Sequence, residues 1–334
     1  MGAERQIRDL LSPLDPVLDR DAQVPPVPTF DDATDLARRR QWSSQRTRRS
    51  VLTTAAAATV ALAGVGVWTI AGPNPPRGLA ATPAPLKIVP SVDGRPADIV
   101  LREIADRAGQ SPVPALSAGR TEYLRTHAWS LHSQVTKSET VSALQATQRE
   151  IWVNSDGSGR ESNRTSPLEF ESTADLQKWE ASRSGDNATR TFGPGGFSRV
   201  WNDRPPTDMN ALRTWLQKDH PPEHGPAETI VAVTDLLRER VLTPAERAAV
   251  LRVVADLPGL HNDGDARDRA GRLGKAFSLE SSYGGLPTRY TLVISSIDGQ
   301  VLSYEQMLPT TAGKLNVRIP AVISYENYLQ HEFR

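Results

Sequence analysis

The sequence contains no cysteine. Disulfides, thiolate metal sites and cysteine nucleophiles are therefore excluded, while the side of a membrane on which the chain sits is left open. It also lacks an excess of either charge, since 39 Lys+Arg balance 39 Asp+Glu over 334 residues. A globally basic nucleic-acid binder needs a positive excess to release counterions from phosphates, so direct nucleic-acid binding is not expected. Lysine is scarce: only Lys87, Lys137, Lys178, Lys218, Lys275 and Lys314 stand among the basic residues. Such a preference for arginine, with abundant alanine, fits a GC-rich bacterial genome. Missing too are a Walker loop, a dinucleotide glycine fingerprint, a G-x-S-x-G elbow and an H-E-x-x-H helix. No catalytic residue and no cofactor follow from the sequence, and the chain is read as non-enzymatic.

What is present is one long uncharged run, the 21 residues Val51 to Ala71. At about 1.5 Å per residue a helix of this length covers roughly 30 Å, the thickness of a bilayer's hydrocarbon core. Alanine and threonine make it only moderately apolar, so the flanks decide its reading. Arg38, Arg39, Arg40, Arg46, Arg48 and Arg49 precede the run, and Arg77 is the only basic residue in the first fifteen after it. The positive-inside rule then keeps the N-terminal tail cytoplasmic and exports the remainder. The same arginines can hold anionic lipid. Trp42 and Trp68 lie near the two ends, where indole rings favour the interface. Thr47-Arg48-Arg49-Ser50-Val51-Leu52 also looks like a twin-arginine export signal, with Leu79-Ala80-Ala81 as a small-residue cleavage site. The length of the run and of the extension before it favours a retained anchor over a cleaved signal.

Four segments follow from this reading: a cytoplasmic tail over 1–50, a transmembrane helix over 51–71, a Pro-rich linker over 72–94 and an extracytoplasmic α+β domain over 95–334. The tail carries two helical candidates, Ala3 to Leu11 and a longer one from about Asp31 that continues through the arginines and across the bilayer to Ala71. Pro73, Pro75, Pro76, Pro83, Pro85 and Pro90 make the linker an extended stalk, because each proline fixes φ. The expected fold is thus a long N-terminal transmembrane helix, a Pro-rich stalk and an exported domain of antiparallel strands with a helical insertion.

Within the exported part, a helix over Pro96 to Ala108 puts Ile99, Val100, Ile104 and Ala108 on one face. Strand patterns cover Glu122 to Ser133, where Tyr123, His127, Trp129 and Leu131 share parity, and Arg149 to Asn154. Asp156-Gly157 reads as a turn leading to a return strand, and 166–206 as an excursion with one short helix near Thr173 to Trp179. Helices are expected after Thr207 or Asp208, over Ala227 to Arg240, and from Thr243-Pro244-Ala245-Glu246, which offers a hydroxyl cap, a first-turn proline and a returning glutamate. Strands close the chain at about Lys275 to Ser282, Arg289 to Ser296, Val301 to Leu308 and Leu315 to Tyr325. Trp129 and Trp152 are expected in the core.

Three segments invite a metal. His220-Pro221-Pro222-Glu223-His224 has histidines four apart, yet the intervening prolines favour a solvated extended loop. His261-Asn262-Asp263-Gly264-Asp265 with Asp268 gathers carboxylates suited to calcium without the spacing of an EF-hand, and reads better as an acidic turn after a helix. The run from Asn154 through Asp156 and Ser158 mimics the start of a calcium loop, but Thr165 stands where its bidentate glutamate belongs, so a hairpin turn is expected there.

An ordered set of short motifs runs through the chain: the arginine segment before the span, Glu150-Ile151-Trp152-Val153 leading to Asp156-Gly157-Ser158-Gly159-Arg160, and Pro206-Thr207-Asp208 followed by Ala211-Leu212-Arg213 and Trp215-Leu216. Leu242-Thr243-Pro244, Leu257-Pro258-Gly259, Ile297-Asp298-Gly299 and Ile319-Pro320-Ala321-Val322-Ile323 complete it. In order and spacing this set resembles a family of uncharacterised actinobacterial single-pass membrane proteins, many encoded beside extracytoplasmic-function sigma factors. The resemblance covers most of residues 36–325 and implies location and topology. Its gene context implies a sensor or sigma-factor-linked regulator in the envelope. The partners expected are the lipid bilayer, a cytoplasmic regulator such as a sigma factor, and an exported ligand. The chain departs from zinc-binding anti-sigma factors in having no cysteine for a His/Cys site. The alternative is a lipid-carrier-like or other ligand-binding module, in which strands curve over an apolar groove plugged by the helices.

Overall fold

A computed structural model describes residues 82–334 apart from 92–93, 113–119, 136–139 and 180–184. The tail, the span, its arginine flank (Arg38, Arg39, Arg40, Arg46, Arg48 and Arg49) and the start of the linker lie outside the described residues. No helix among the described residues is long and apolar enough to cross a membrane.

Ten strands form one sheet in the order β1-β6-β7-β8-β9-β10-β2-β3-β4-β5, with every neighbouring pair antiparallel. The first meander comprises β2 (Thr121–Val135), β3 (Thr140–Asn154), β4 (Gly159–Thr165) and β5 (Asp186–Phe192). The second comprises β6 (His261–Arg267), β7 (Leu273–Ser281), β8 (Thr288–Ile294), β9 (Val301–Leu308) and β10 (Ala321–Phe333). Pairing of β10 with β2 joins the meanders, and β1 (Ile88–Val89) adds to the far edge on β6. The helices are α1 (Ala97–Gln110), α2 (Thr173–Lys178), α3 (Met209–Leu216), α4 (Pro226–Glu239) and α5 (Pro244–Ala255). The antiparallel α+β class and the helical insertion between strand groups agree with the sequence pattern.

Local chemistry sets several boundaries. Thr243 and Glu246 make the reciprocal capping box that starts α5, with Pro244 in its first turn. Asp208 rather than Thr207 caps α3, accepting from the Ala211 N–H at 2.9 Å. The β3–β4 hairpin turns at Gly157, whose φ of +77° suits glycine, and Asp156 accepts from the Ser158 N–H.

Alternation then sorts the sheet's two faces. On one face Phe277, Leu279, Tyr290, Leu292, Ile294 and Tyr304 meet α1, α4 and α5 in the main core. The space where a lipid-carrier reading puts an apolar groove holds Leu101, Ile104, Ile230, Leu236, Phe277 and Leu292, all fully buried. Carrying these side chains out of water stabilises the domain by about 1.5–3 kcal/mol each. Ion pairs anchor α4 and the segment before α3 to the same face: Arg238 of α4 to Glu326 of β10 at 2.6 Å, and Arg199 to Glu122 of β2 at 3.0 Å.

Several expectations need correction. Ile99 is 43 % exposed, and Leu101 takes its place on the buried face of α1, since 100° per residue carries 101, 104, 105 and 108 to one side. The excursion over 166–206 contains β5, which pairs with β4 through backbone bonds despite an all-polar surface. The last strand begins at Ala321, after the cis Ile319–Pro320 bond, and runs to Phe333. Residues 261–267 are neither an acidic turn nor a calcium loop. They form β6, whose carboxylates are matched by arginine and lysine: Asp263 by Arg289, Asp265 by Lys275, with Asp268 beyond the strand held by Arg272.

The linker is also shorter than expected. Residues 84–89 are extended, but they lie on the sheet as a strap. Leu86 and Ile88 pack on Ala266, Ala276, Val293 and Leu302, on the face opposite the helices. Leu86 N–H donates to Glu305 at 3.3 Å, and Arg269 donates to the Ala84 carbonyl at 2.8 Å.

Candidate functional site

Sequence reasoning placed candidate metal ligands at His220 and His224, and both are less solvated than a loop would leave them. His220 is 4 % exposed and its Nδ1 lies 2.8 Å from Glu228 Oε1, while its ring stacks on Trp201, which also stacks on Trp215. His224 stacks on Tyr283 at 4.3 Å. The prolines start a short 3-10 turn at Pro222–His224 that buries the pair against the head of α4. No group of three or more metal-ligating side chains occurs among the described residues. This cluster is a packed junction between α3 and α4.

The concave site lies on the other face, over the first meander and β10. It is a cleft of about 650 Å³, inside the range of about 300–1,000 Å³ typical of small-molecule sites. Register builds its floor. Directly opposed residues on antiparallel strands share a face, so His127 of β2, Gln148 of β3, Arg164 of β4 and Asn187 of β5 form one row across four strands. A second row starts with Tyr325 of β10 and continues through Trp129 and Ala146. Pro83 of the strap and Arg269 complete the wall.

The aromatic part of the floor is rigid. Trp129 is 1 % exposed, Tyr325 is 4 % exposed, and the rings meet edge to face at 5.1 Å. Trp152, expected in the core beside Trp129, is instead half-buried and stacks under Arg160 at 4.2 Å, further along the same face. Tyr325 OH lies 3.4 Å from His127 Nδ1. Burial pushes the Tyr325 phenol up to about 12, only partly opposed by Arg269, so the hydroxyl keeps its proton at neutral pH and cannot serve as a base. The Ser166 hydroxyl is committed to the backbone, accepting from Ala146 N–H at 3.1 Å and donating to the Pro167 carbonyl at 2.9 Å. The lining therefore offers hydrogen-bond donors and aromatic surface for holding a ligand, and no nucleophile is seen paired to a base among the described residues.

Arg269 links the cleft to the strap. Its guanidinium lies 5.0 Å from the Tyr325 ring centre, reaches Glu305 at 2.5 Å and holds the Ala84 carbonyl. Burial raises the Glu305 carboxyl, with Arg269 and the Leu86 N–H acting against that rise. In the sequence, His127 and Trp129 were visible as a parity set, but Gln148, Arg164, Asn187 and Arg269 carried no signal. Strand register, absent from a linear sequence, brings the first three together, and the β6–β7 turn carries Arg269 to the cleft wall.

These features define an α+β domain with a helix-covered sheet face and a ligand-sized cleft on the opposite face. No family model matches the sequence, and neither the curated proteins nor the solved structures compared with it include a match.

Proposed function

We propose that the chain is a single-pass membrane-anchored envelope protein whose exported domain is a ligand-binding sensor, with the cleft over β10, β2, β3, β4 and β5 as its receptor site. The observation that carries this reading is the cleft itself, about 650 Å³ over a rigid floor of Trp129 and Tyr325, with Gln148, Arg164 and Asn187 in one row across it and making no side-chain hydrogen bond among the described residues. A ligand that supplies acceptors to that row gains bonds which those side chains otherwise make to water. The uncharged run over 51–71 and its arginine flank support the anchor, and the tail over 1–50 is the segment placed to meet a cytoplasmic regulator, a sigma factor by the family resemblance.

The test is a thermal-shift screen of the full chain in lipid nanodiscs against a small-molecule library, run in parallel on Gln148→Trp. Gln148 is an exposed strand residue at the cleft, so tryptophan there fills the space with little effect on the core. Ligands should raise the melting temperature of the parent and leave the variant unshifted. A screen in which every stabilising compound acts equally on both sinks the receptor site. For the tail, capture of the full chain from cells that yields no sigma factor removes the regulatory half of the reading.

A further inference from the structure

Resting on the ligand-binding reading above, we infer that the cleft receives a small organic oxyanion, a carboxylate or phosphate monoester on a flat apolar body. Three observations converge. First, the residues lining the cleft include Arg164, Arg269 and His127 and no aspartate or glutamate. The charge of Arg269 is already matched by Glu305, whereas Arg164 is exposed and makes no side-chain hydrogen bond or ion pair among the described residues. One guanidinium is thus left to be neutralised.

Second, Gln148 and Asn187 flank Arg164 in register, at a cross-strand spacing of about 5 Å. Their amides are likewise uncommitted among the described residues. Three adjacent side chains rich in N–H groups suit the several lone pairs of a carboxylate or phosphate, and charge-assisted bonds to a guanidinium are the strong kind. Third, the neighbouring row is apolar: Tyr325, Trp129 and Ala146, with Pro83 beside them. Rings favour a flat apolar partner. A bare inorganic anion would use the first row and leave the second empty.

The same chemistry is carried by free metabolites and by anionic lipid headgroups, which the test separates. Full chain in phosphatidylcholine nanodiscs is titrated calorimetrically with phenyl phosphate, benzoate, inorganic phosphate and benzyl alcohol. Phenyl phosphate and benzoate should bind at least about tenfold more tightly than benzyl alcohol or inorganic phosphate. Arg164→Gln should weaken both organic anions about tenfold and leave benzyl alcohol unchanged. Arg160→Gln, on the same strand face but outside the cleft, should change nothing. Nanodiscs containing phosphatidylglycerol assign the source: displacement of phenyl phosphate supports a lipid headgroup, and unchanged affinity supports a free metabolite. Equal affinity for charged and neutral probes, or indifference to Arg164→Gln, overturns the oxyanion assignment while library ligands blocked by Gln148→Trp keep the receptor site standing. If no probe and no library compound responds to Gln148→Trp, both fall.

Discussion

Gly264→Ala should lift the strap from the sheet. Gly264 has φ +117° on β6, beside a bulge in its pairing with β7. A Cβ there would lie 2.1 Å from the Val89 carbonyl oxygen and 2.6 Å from the Ser91 nitrogen. Both are backbone atoms, which cannot rotate away as a flexible side chain can. The backbone conformation itself costs about 1–3 kcal/mol for a non-glycine residue. Leaving the sheet exposes Leu86 and Ile88, which are only partly buried, for roughly 2 kcal/mol together. A loss of about 3–5 kcal/mol follows, a large share of the 5–15 kcal/mol typical of a domain. Hydrogen exchange on the full chain reads the site of the loss: peptides covering 86–91 should exchange at least about tenfold faster, and β8 should be unchanged. Gly271→Ala is the control, since Gly271 also has positive φ (+82°) but a Cβ there meets no atom within 4 Å. It should lower the melting temperature without touching strap exchange. Unchanged protection of 86–91 in Gly264→Ala would refute the argument that this glycine exists to admit the strap.

Glu239 makes the domain lose stability as pH rises from mild acidity toward neutrality. Burial raises its carboxyl from 4.5 to about 7 against the opposing Val200 N–H, Arg149 and Arg199, so the folded form holds a proton that the unfolded chain releases. That contribution is complete below about pH 4.5 and is lost as pH rises toward 7, for a swing of about 3 kcal/mol. Glu239→Gln should gain on the parent between pH 4.5 and 7.5 in paired thermal melts, and a pH-independent difference would contradict it. Ile104→Ala, in the fully buried face of α1 against the β8–β9 turn, should cost about 2–5 kcal/mol in chemical denaturation, while a loss under 1 kcal/mol would mean the site collapses onto the gap.

The helices were legible because their caps and periodicity are local: Asp208, Thr243 and Glu246 act within a few residues of themselves. Strands β7, β8 and β9 were legible for a similar reason, as alternating β-formers around Asp298-Gly299. Strands β5 and β6 were missed because DNATRTF and HNDGDAR are largely polar runs, the second with a glycine, that propensity assigns to loops. They become strands through pairing with β4 and β7 and through arginines distant in sequence, such as Arg289 on Asp263. The His220 junction was misread for a related reason, since Trp201 and Tyr283, which cover it, lie 19 and 59 residues from the histidines they stack on. The cleft was least legible, because its floor is a row drawn perpendicular to the chain.

If the proposed anchor holds the domain to a membrane, the docking of the strap also sets the length of its leash. Were the folded part to begin at Arg95, the 23 residues 72–94 could hold it up to about 80 Å from the end of the expected span. With Ala84 already fastened to Arg269, only residues 72–83 are left to extend, a reach of about 40 Å. Pro83, the last of them, is itself part of the cleft wall. On the membrane-anchored reading proposed above, the proposed receptor site would then sit at the tethered end of the domain, next to the headgroups, and a ligand that draws Arg269 away from the Ala84 carbonyl would lengthen the leash from its inner end.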